Sequence, residues 1–145
     1  AAERAALEKV AALENDAVDA YLRLIELATE AEDWAAVELN ARRILAVNPL
    51  IADPYRQLAK AAETLAHPAD AIRARQVLLV IDASDPAEAH YRLSKLFHQQ
   101  HELRAARRHV LQALEETPRF RAAQQLLLEI VEQSKDQKEN AEATP

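Results

Sequence analysis

Leucines recur along this chain at a nearly constant interval: Leu24, Leu58, Leu93 and Leu127 are 34, 35 and 34 residues apart. A second set keeps the same step, at Val37, Ala71 and Ala106. A third set keeps it as well, at Val10, Ile44, Leu78 and Ala113. A period of about 34 residues is typical of helix-turn-helix repeats that stack on one another. The spacing therefore predicts an all-α fold built from repeated helix pairs.

The composition supports a folded domain and disfavours several classes of partner. Half of the 145 residues are hydrophobic, which is enough for a continuous core. The net charge of -6 argues against whole-surface attraction to nucleic acid or anionic lipid. Cysteine is absent, so neither a disulfide nor a thiolate metal site is available. No apolar run approaches the roughly 20 residues that span a bilayer, and we therefore predict no membrane insertion.

The absence of glycine and the placement of proline indicate how the helices are separated. Without glycine, tight hairpins and phosphate-binding loops are disfavoured, and we expect a fold that does not need positive φ angles. Four dipeptides place a capping side chain before proline: Asn48-Pro49, Asp53-Pro54, Asp85-Pro86 and Thr117-Pro118. Because proline suits the first helical position, these dipeptides predict nearby helix starts.

Eight helices are predicted within one domain at 1–134. A first helix over about 2–14 forms a half repeat at 1–15, whose partner helix would lie upstream. Complete repeats follow at about 16–49, 50–84 and 85–118, with helices starting near Asp16, Asp33, Asp53, Pro68, Asp85 and Glu102. A last helix over 119–134 covers the apolar end of the stack as a cap. Residues 135–145 are polar and are predicted to form a flexible tail.

The recurring residues of the predicted repeats resemble those of the tetratricopeptide repeat (TPR) family. The third repeat matches its packing positions best, with Ala89, Leu93, Phe97, Leu103, Ala106, Ala113-Leu114 and Pro118. The turn inside each helix pair, where the family usually has glycine, carries Glu32, Ala66 and His101. The resemblance implies a right-handed α-α superhelix whose inner groove is lined by the first helix of each pair. It also implies a protein-binding role.

A second, shorter resemblance concerns the region from His90 to Phe120. The segments His90–Leu93, Arg108–Leu111 and Pro118–Phe120 are similar to the C-terminal TPR regions of large bacterial exported peptidase-like proteins. This resemblance implies a structural or oligomerising accessory domain of a larger protein. That role is the alternative to a peptide-binding module.

Cationic, amide and aromatic side chains fall on the predicted groove. In the family, such side chains bind carboxylates of an extended peptide, and arginine binds them in a bidentate manner. The predicted peptide-binding residues are Arg23, Arg56, Gln57, Lys60, Tyr91, Arg92, Lys95 and His98. We therefore predict an interaction module for an extended, acidic segment of a partner protein. The same charges are also compatible with ordinary pairs along a helix, such as Arg23 with Glu26 or Lys60 with Glu63.

The remaining motifs give weaker signals. His98 and His101 are spaced for one metal ion but lack a third well-spaced ligand, so neither a metal site nor a cofactor is predicted. Arg104, Arg107 and Arg108 form a basic cluster, yet aromatic residues make up only 4% of the chain, which disfavours nucleic acid. No nucleophile lies beside a base, and the chain is predicted not to be an enzyme. Apolar residues on the last helix, including Leu128, predict weak self-association through the ends of the stack.

Overall fold

The computed structural model describes residues 1–13, 17–82 and 84–144, and this part of the chain contains helices and no strands. The helices are α1 (Ala2–Leu13), α2 (Val18–Glu30), α3 (Trp34–Val47), α4 (Ala52–Thr64), α5 (Pro68–Ile81), α6 (Pro86–Gln99), α7 (Leu103–Glu116) and α8 (Arg121–Glu142). The prediction of an all-α fold is confirmed. None of these helices is both long and apolar enough to cross a bilayer.

The chain divides into two compact units, unit 1 at Ala1–Ile81 and unit 2 at Asp82–Pro145. In unit 1 each helix from α1 to α5 packs on the next one along the chain. In unit 2, α6 packs on α7, α7 packs on α8, and α8 also touches α6. The boundary falls near the predicted repeat boundary at 84–85. A single domain over 1–134 stays a prediction.

The core of unit 1 is built from the periodic small and branched residues. Val37, Ala41 and Ile44 of α3 and Ala59 of α4 are all 0% exposed. Alanine at such positions lets helix backbones approach closely, and the larger side chains fill the space that remains. Ala71 of α5 is buried in the same way, as the recurrence of its position predicts.

The core of unit 2 uses the equivalent positions of α6 and α7. Leu93, Ala106 and Ala113 are 0% exposed. On α8 the series shifts, because Leu127 is only half-buried while Leu126 and Ile130 are buried. The leucine spacing therefore marks the correct helix, but the residues of α8 that face its neighbours lie one position before and three positions after Leu127.

The turns inside the helix pairs correct the expectation about backbone angles. Glu32, Ala66 and His101 have φ angles of 54°, 57° and 59°, in the left-handed region. Each of these residues follows the end of a helix. The residue after it donates its N–H to a carbonyl oxygen of that helix, as His67 N–H does to Ala62 O at 2.8 Å. This bonding is the Schellman motif, which requires a left-handed residue whether or not glycine is available. The absence of glycine therefore did not mean that positive φ angles are unnecessary.

The proline dipeptides mark helix boundaries in two different ways. Asp85 caps α6 as predicted, because its Oδ1 accepts from the Glu88 N–H at 3.0 Å. In contrast, Asn48 and Thr117 are the C-terminal caps of α3 and α7, and Asp53 lies inside the first turn of α4. At Asn48 the side chain accepts from the Leu50 N–H of the following turn, which explains why this residue type does not start a helix there.

The last helix is longer than predicted. α8 continues past Ser134 and ends at Glu142, with exposed side chains over its last turns. Lysine, glutamine, glutamate and alanine dominate this stretch, and all of them are good helix formers. Low apolar content therefore indicated a solvated segment but did not prevent a helix.

Some positions named in the predictions lie outside the described residues. Glu14, where the first helix was expected to end, and Asp16, where the second was expected to start, lie outside the described residues. Ala83, in the predicted second repeat, also lies outside them.

Candidate peptide-binding site

The predicted peptide-binding residues lie on α2, α4 and α6, and they divide between the two units. Arg23, Arg56, Gln57 and Lys60 belong to unit 1, while Tyr91, Arg92, Lys95 and His98 belong to unit 2. The neighbours of each charged side chain decide whether its charge is available to a ligand.

Arg23 is held by two carboxylates. Its Nε donates to Glu3 Oε1 of α1 at 2.7 Å, and its Nη1 donates to Glu26 Oε2 at 2.7 Å. These hydrogen bonds raise the pKa of Arg23 and lower the pKa of Glu3. The guanidinium is therefore locally neutralised, and a peptide carboxylate would have to displace Glu3 or Glu26.

The cations of α4 have different partners. Arg56 is exposed, and its Nη1 lies 3.6 Å from Asp53 Oδ1. Lys60 Nζ lies 5.0 Å from the centroid of the Trp34 ring, and Lys60 forms no ion pair with another residue in the described ranges. The acidic neighbour expected for it, Glu63, pairs instead with Arg75 of α5. Gln57 is half-buried on the same helix.

In unit 2 a cavity of about 250 Å³ lies between α6 and α8. Three of the predicted residues line it, namely Tyr91, Lys95 and His98. Gln99 completes the α6 side, and α8 contributes Ala122, Gln125, Leu126 and Glu129. We refer to this cavity as the α6–α8 cavity.

Lys95 is the cation of the α6–α8 cavity. Its Nζ lies 5.8 Å from the centroid of the Tyr91 ring, and the Tyr91 ring packs against Phe120 with centroids 4.8 Å apart. Within the part of the chain that the structure describes, Lys95 forms no ion pair, although Glu129 lines the same cavity. The aromatic pair therefore positions an ammonium group that still has hydrogen atoms to donate.

His98 and Arg92 are fixed by neighbouring side chains. His98 Nε2 lies 3.0 Å from Gln133 Oε1 of α8. Arg92 does not line the cavity, and its Nε donates to Glu88 Oε1 at 2.6 Å on the same helix. Of the α6 residues predicted to bind a peptide, Arg92 is thus the one whose charge is already compensated.

The lining of the α6–α8 cavity combines charged, polar and apolar groups. The Lys95 ammonium and the Glu129 carboxylate lie beside the apolar side chains of Leu126 and Ala122. Gln125 Nε2 donates to Glu129 Oε1 at 3.5 Å. Sites for whole drug-sized ligands usually measure about 300–1,000 Å³, so this cavity suits one side chain or a chain terminus.

The α8 residues of the cavity were not predicted, although the sequence contains a signal for them. The predicted groove positions lie one and two residues before the recurring leucine, and two and five residues after it. From Leu127 this spacing gives Leu126, Gln125 and Glu129, which line the cavity, and Glu132, which does not.

The other candidate clusters have different surroundings. His98 contacts Gln133, while His101 lies in the exposed turn before α7 and its N–H donates to His98 O at 3.0 Å. Arg104, Arg107 and Arg108 are all exposed on α7. Exposed arginines along one helix are typical of a solvated helix face.

Comparison with known proteins shows similarity of structure only. No protein-family model matches the chain, and no curated protein matches its sequence. The crystal structure of MamA matches with a TM-score of 0.68 at 17% identity, over 94% of this chain and 89% of that one. The Arabidopsis OM64 TPR domain matches with a TM-score of 0.64 at 17% identity, over 81% of this chain and 97% of that one. The fold is that of the tetratricopeptide repeat.

A third TPR-fold neighbour was solved with a protein ligand. PcrH in complex with the chaperone binding region of PopD matches with a TM-score of 0.60 at 12% identity, over 88% of this chain and 96% of that one. The family resemblance is thus confirmed at the level of the fold. The resemblance to peptidase-like proteins stays a prediction.

Proposed function

We propose that this chain is a protein–protein interaction module that binds an extended segment of a partner protein. The α6–α8 cavity is its anchor point, and the group it binds is an acidic side chain or a terminal carboxylate. The observation that carries the proposal is Lys95, a cation without an ion-pair partner among the described residues, which lies in a cavity of matching size. TPR-fold neighbours with bound protein segments support the general role.

The acidic preference rests on fewer cations than the sequence suggested. Arg23 and Arg92 already contact carboxylates, so each would have to exchange partners to bind a peptide. Such an exchange between exposed groups gives little net free energy. Lys95, with Lys60 as a second cation in unit 1, is therefore the expected source of the preference.

Titration with short fluorescent peptides tests this function. The probes are an acidic peptide with a free C-terminal carboxylate, its amidated form, and a form with asparagine and glutamine in place of the acidic residues. Charge-assisted hydrogen bonds are worth about 1.5–3 kcal/mol, so Lys95→Glu should weaken binding of the acidic peptide by about tenfold or more.

The control is reversal of the exposed pair Arg107 and Arg108 to glutamate, which adds more negative charge away from the α6–α8 cavity. This control should bind with nearly the wild-type affinity. Equal affinity of the wild type for all three peptides would remove the acidic preference. Equal loss in Lys95→Glu and in the control would remove the cavity as the anchor.

An oligomerising role is the alternative, and one observation favours it. Leu128 on α8 is 66% exposed, so its side chain is accessible to a second copy of the chain. Sedimentation velocity over a range of concentrations should then detect dimers that Leu128→Lys abolishes. A single monomeric species at the highest concentration would exclude this alternative.

A further inference from the structure

A histidine and two carboxylates meet on the surface of unit 1, away from the predicted peptide-binding residues. Glu38 lies on α3, His67 directly precedes α5, and Asp70 lies in the first turn of α5. One potential ligand atom from each lies within 4.8 Å of the other two. No other group of this kind is found in the described ranges 1–13, 17–82 and 84–144.

The turn between α4 and α5 explains why these residues meet. Ala66 adopts a left-handed conformation, the His67 N–H closes the turn onto Ala62 O, and Pro68 begins α5. This geometry directs the His67 ring toward α3, where its Nδ1 lies 3.0 Å from Glu38 Oε2. Asp70 follows three residues later, at the spacing that places two side chains on one face of a helix.

Glu38 is suited to act as a ligand because its carboxylate is held in place. Its side chain is only 13% exposed. Arg42 Nε and Nη2 donate to its Oε1 at 3.2 and 2.7 Å, and its Oε2 lies 3.0 Å from His67 Nδ1. A largely buried carboxylate with fixed partners needs little reorganisation to bind a cation.

A cation already lies between the two carboxylates. Arg42 Nη2 is 2.7 Å from Glu38 Oε1 and 3.1 Å from Asp70 Oδ2. One guanidinium therefore supplies a single positive charge beside two carboxylates. The Arg42 side chain is 45% exposed, so it can turn into solvent and leave both carboxylates to another cation.

We propose that Glu38, His67 and Asp70 form a Zn²⁺ site for which Arg42 is the competing cation. One imidazole nitrogen and two carboxylate oxygens give three protein ligands, and a fourth position stays open to water or to a side chain of a partner. The imidazole favours Zn²⁺ over Mg²⁺ and Ca²⁺, which prefer oxygen ligands throughout. Ligands at about 2.1 Å in a tetrahedral site lie about 3.4 Å apart, a distance that side-chain rotation can reach here.

Isothermal titration of untagged protein with zinc chloride tests the proposal, with magnesium chloride as the comparison metal. The wild type should bind one Zn²⁺ and show no saturable binding of Mg²⁺. His67→Ala and Asp70→Asn should each weaken zinc binding by about tenfold or more, since even outer-shell changes at metal sites cost about 10–100-fold. His101→Ala is the matched control, because it removes an exposed histidine that also belongs to a helix-pair turn.

Arg42→Gln separates a metal site from a structural ion-pair cluster. If zinc replaces the guanidinium, this variant should bind Zn²⁺ severalfold more tightly than the wild type, and zinc should raise its thermal midpoint. Unchanged or weaker zinc binding in Arg42→Gln would overturn the proposal, as would wild-type affinity in His67→Ala. Circular dichroism checks the fold of each variant. His67 and Asp70 are exposed and half-buried, so the variants that decide the test are expected to stay folded.

Discussion

Unit 1 and unit 2 carry cations at equivalent repeat positions, and the surroundings of Arg23 in unit 1 differ from those of Lys95 in unit 2. In unit 1, Arg23 contacts Glu3 of the preceding helix and Glu26 of its own. In unit 2, Lys95 rests on Tyr91 and forms no ion pair within the described residues. Periodicity therefore places a side chain on a helix face, whereas the carboxylates of neighbouring helices decide whether its charge is available.

The helix interfaces of the two units also differ in their titratable side chains. In unit 2, His90 Nδ1 and His109 Nδ1 are 2.9 Å apart between α6 and α7, and the His109 ring stacks on Phe97. At the repeat interval, the corresponding residues of α2 and α3 are Tyr21 and Asn40. The Tyr21 hydroxyl donates instead to Ala11 O of α1. Only unit 2 thus has titratable imidazoles at this interface.

The largest expected effect comes from overpacking unit 2. Ala106 is 0% exposed where α7 packs on α6, so Ala106→Leu should lower the free energy of unfolding by about 1–3 kcal/mol. Ala35→Leu is the control, because Ala35 is exposed on α3 of unit 1. Urea unfolding followed by circular dichroism measures both. Equal stability of the two variants would contradict the packing assigned to α6 and α7.

Acid should weaken unit 2 before unit 1. Burial, then the proximity of His90 and Arg108, lowers the pKa of His109 to about 4. Burial also lowers the pKa of His90, although Glu116 and Glu115 oppose the shift. Because the fold holds these rings neutral, their contribution to stability is complete above the ordinary histidine value of 6.5 and is lost as the pH falls toward 4.

Hydrogen exchange, resolved by segment, measures this difference in acid sensitivity between unit 2 and unit 1. Between about pH 7 and about pH 5, amides of α6 and α7 should lose protection equivalent to on the order of 2 kcal/mol, after correction for intrinsic rates. Amides of α3 should change less. Glu38 there has a lowered pKa, so its contribution persists until the pH falls below its ordinary value of 4.5.

His109→Asn should remove most of the acid sensitivity. Asparagine is the residue at the equivalent position of unit 1, where Asn40 is buried. An unchanged pH dependence in this variant would show that the imidazole pair is not responsible.

A smaller gain of stability is expected in the turns of both units. A left-handed backbone costs a residue with a β-carbon roughly 1–2 kcal/mol, part of which glycine recovers. Ala66→Gly in unit 1 and His101→Gly in unit 2 should therefore each raise the free energy of unfolding by about 0.5–1 kcal/mol. Ala69→Gly, inside α5, should instead lower it by a similar amount. Destabilisation by all three changes would argue against the left-handed turns.

Much of the fold could be predicted from the sequence because it depends on local spacing. The step of about 34 residues predicted the helix pairs, and the recurring positions Ala71 and Ala106 are both buried. Helix ends were harder to predict. An asparagine or threonine before proline can lie at the end of one helix or at the start of the next, and the dipeptide alone does not distinguish the two.

The candidate site could be predicted only in part, because its charges depend on contacts between helices. The identity of the facing residues Tyr91, Lys95 and His98 follows from periodicity. The pairing of Arg23 with Glu3, 20 residues earlier, does not. The same limitation applies to Glu38 and His67, which are 29 residues apart and meet through the α4–α5 turn.

The most direct test of the central claim compares charge reversal in the two units. Lys95→Glu and Arg23→Glu make the same change of charge, one in the α6–α8 cavity and the other beside carboxylates that already neutralise the cation. Binding of an acidic peptide with a free carboxylate should weaken by about tenfold or more in Lys95→Glu and change only a few-fold in Arg23→Glu. Equal losses in both variants, or a larger loss in Arg23→Glu, would contradict the assignment of the anchor to the α6–α8 cavity.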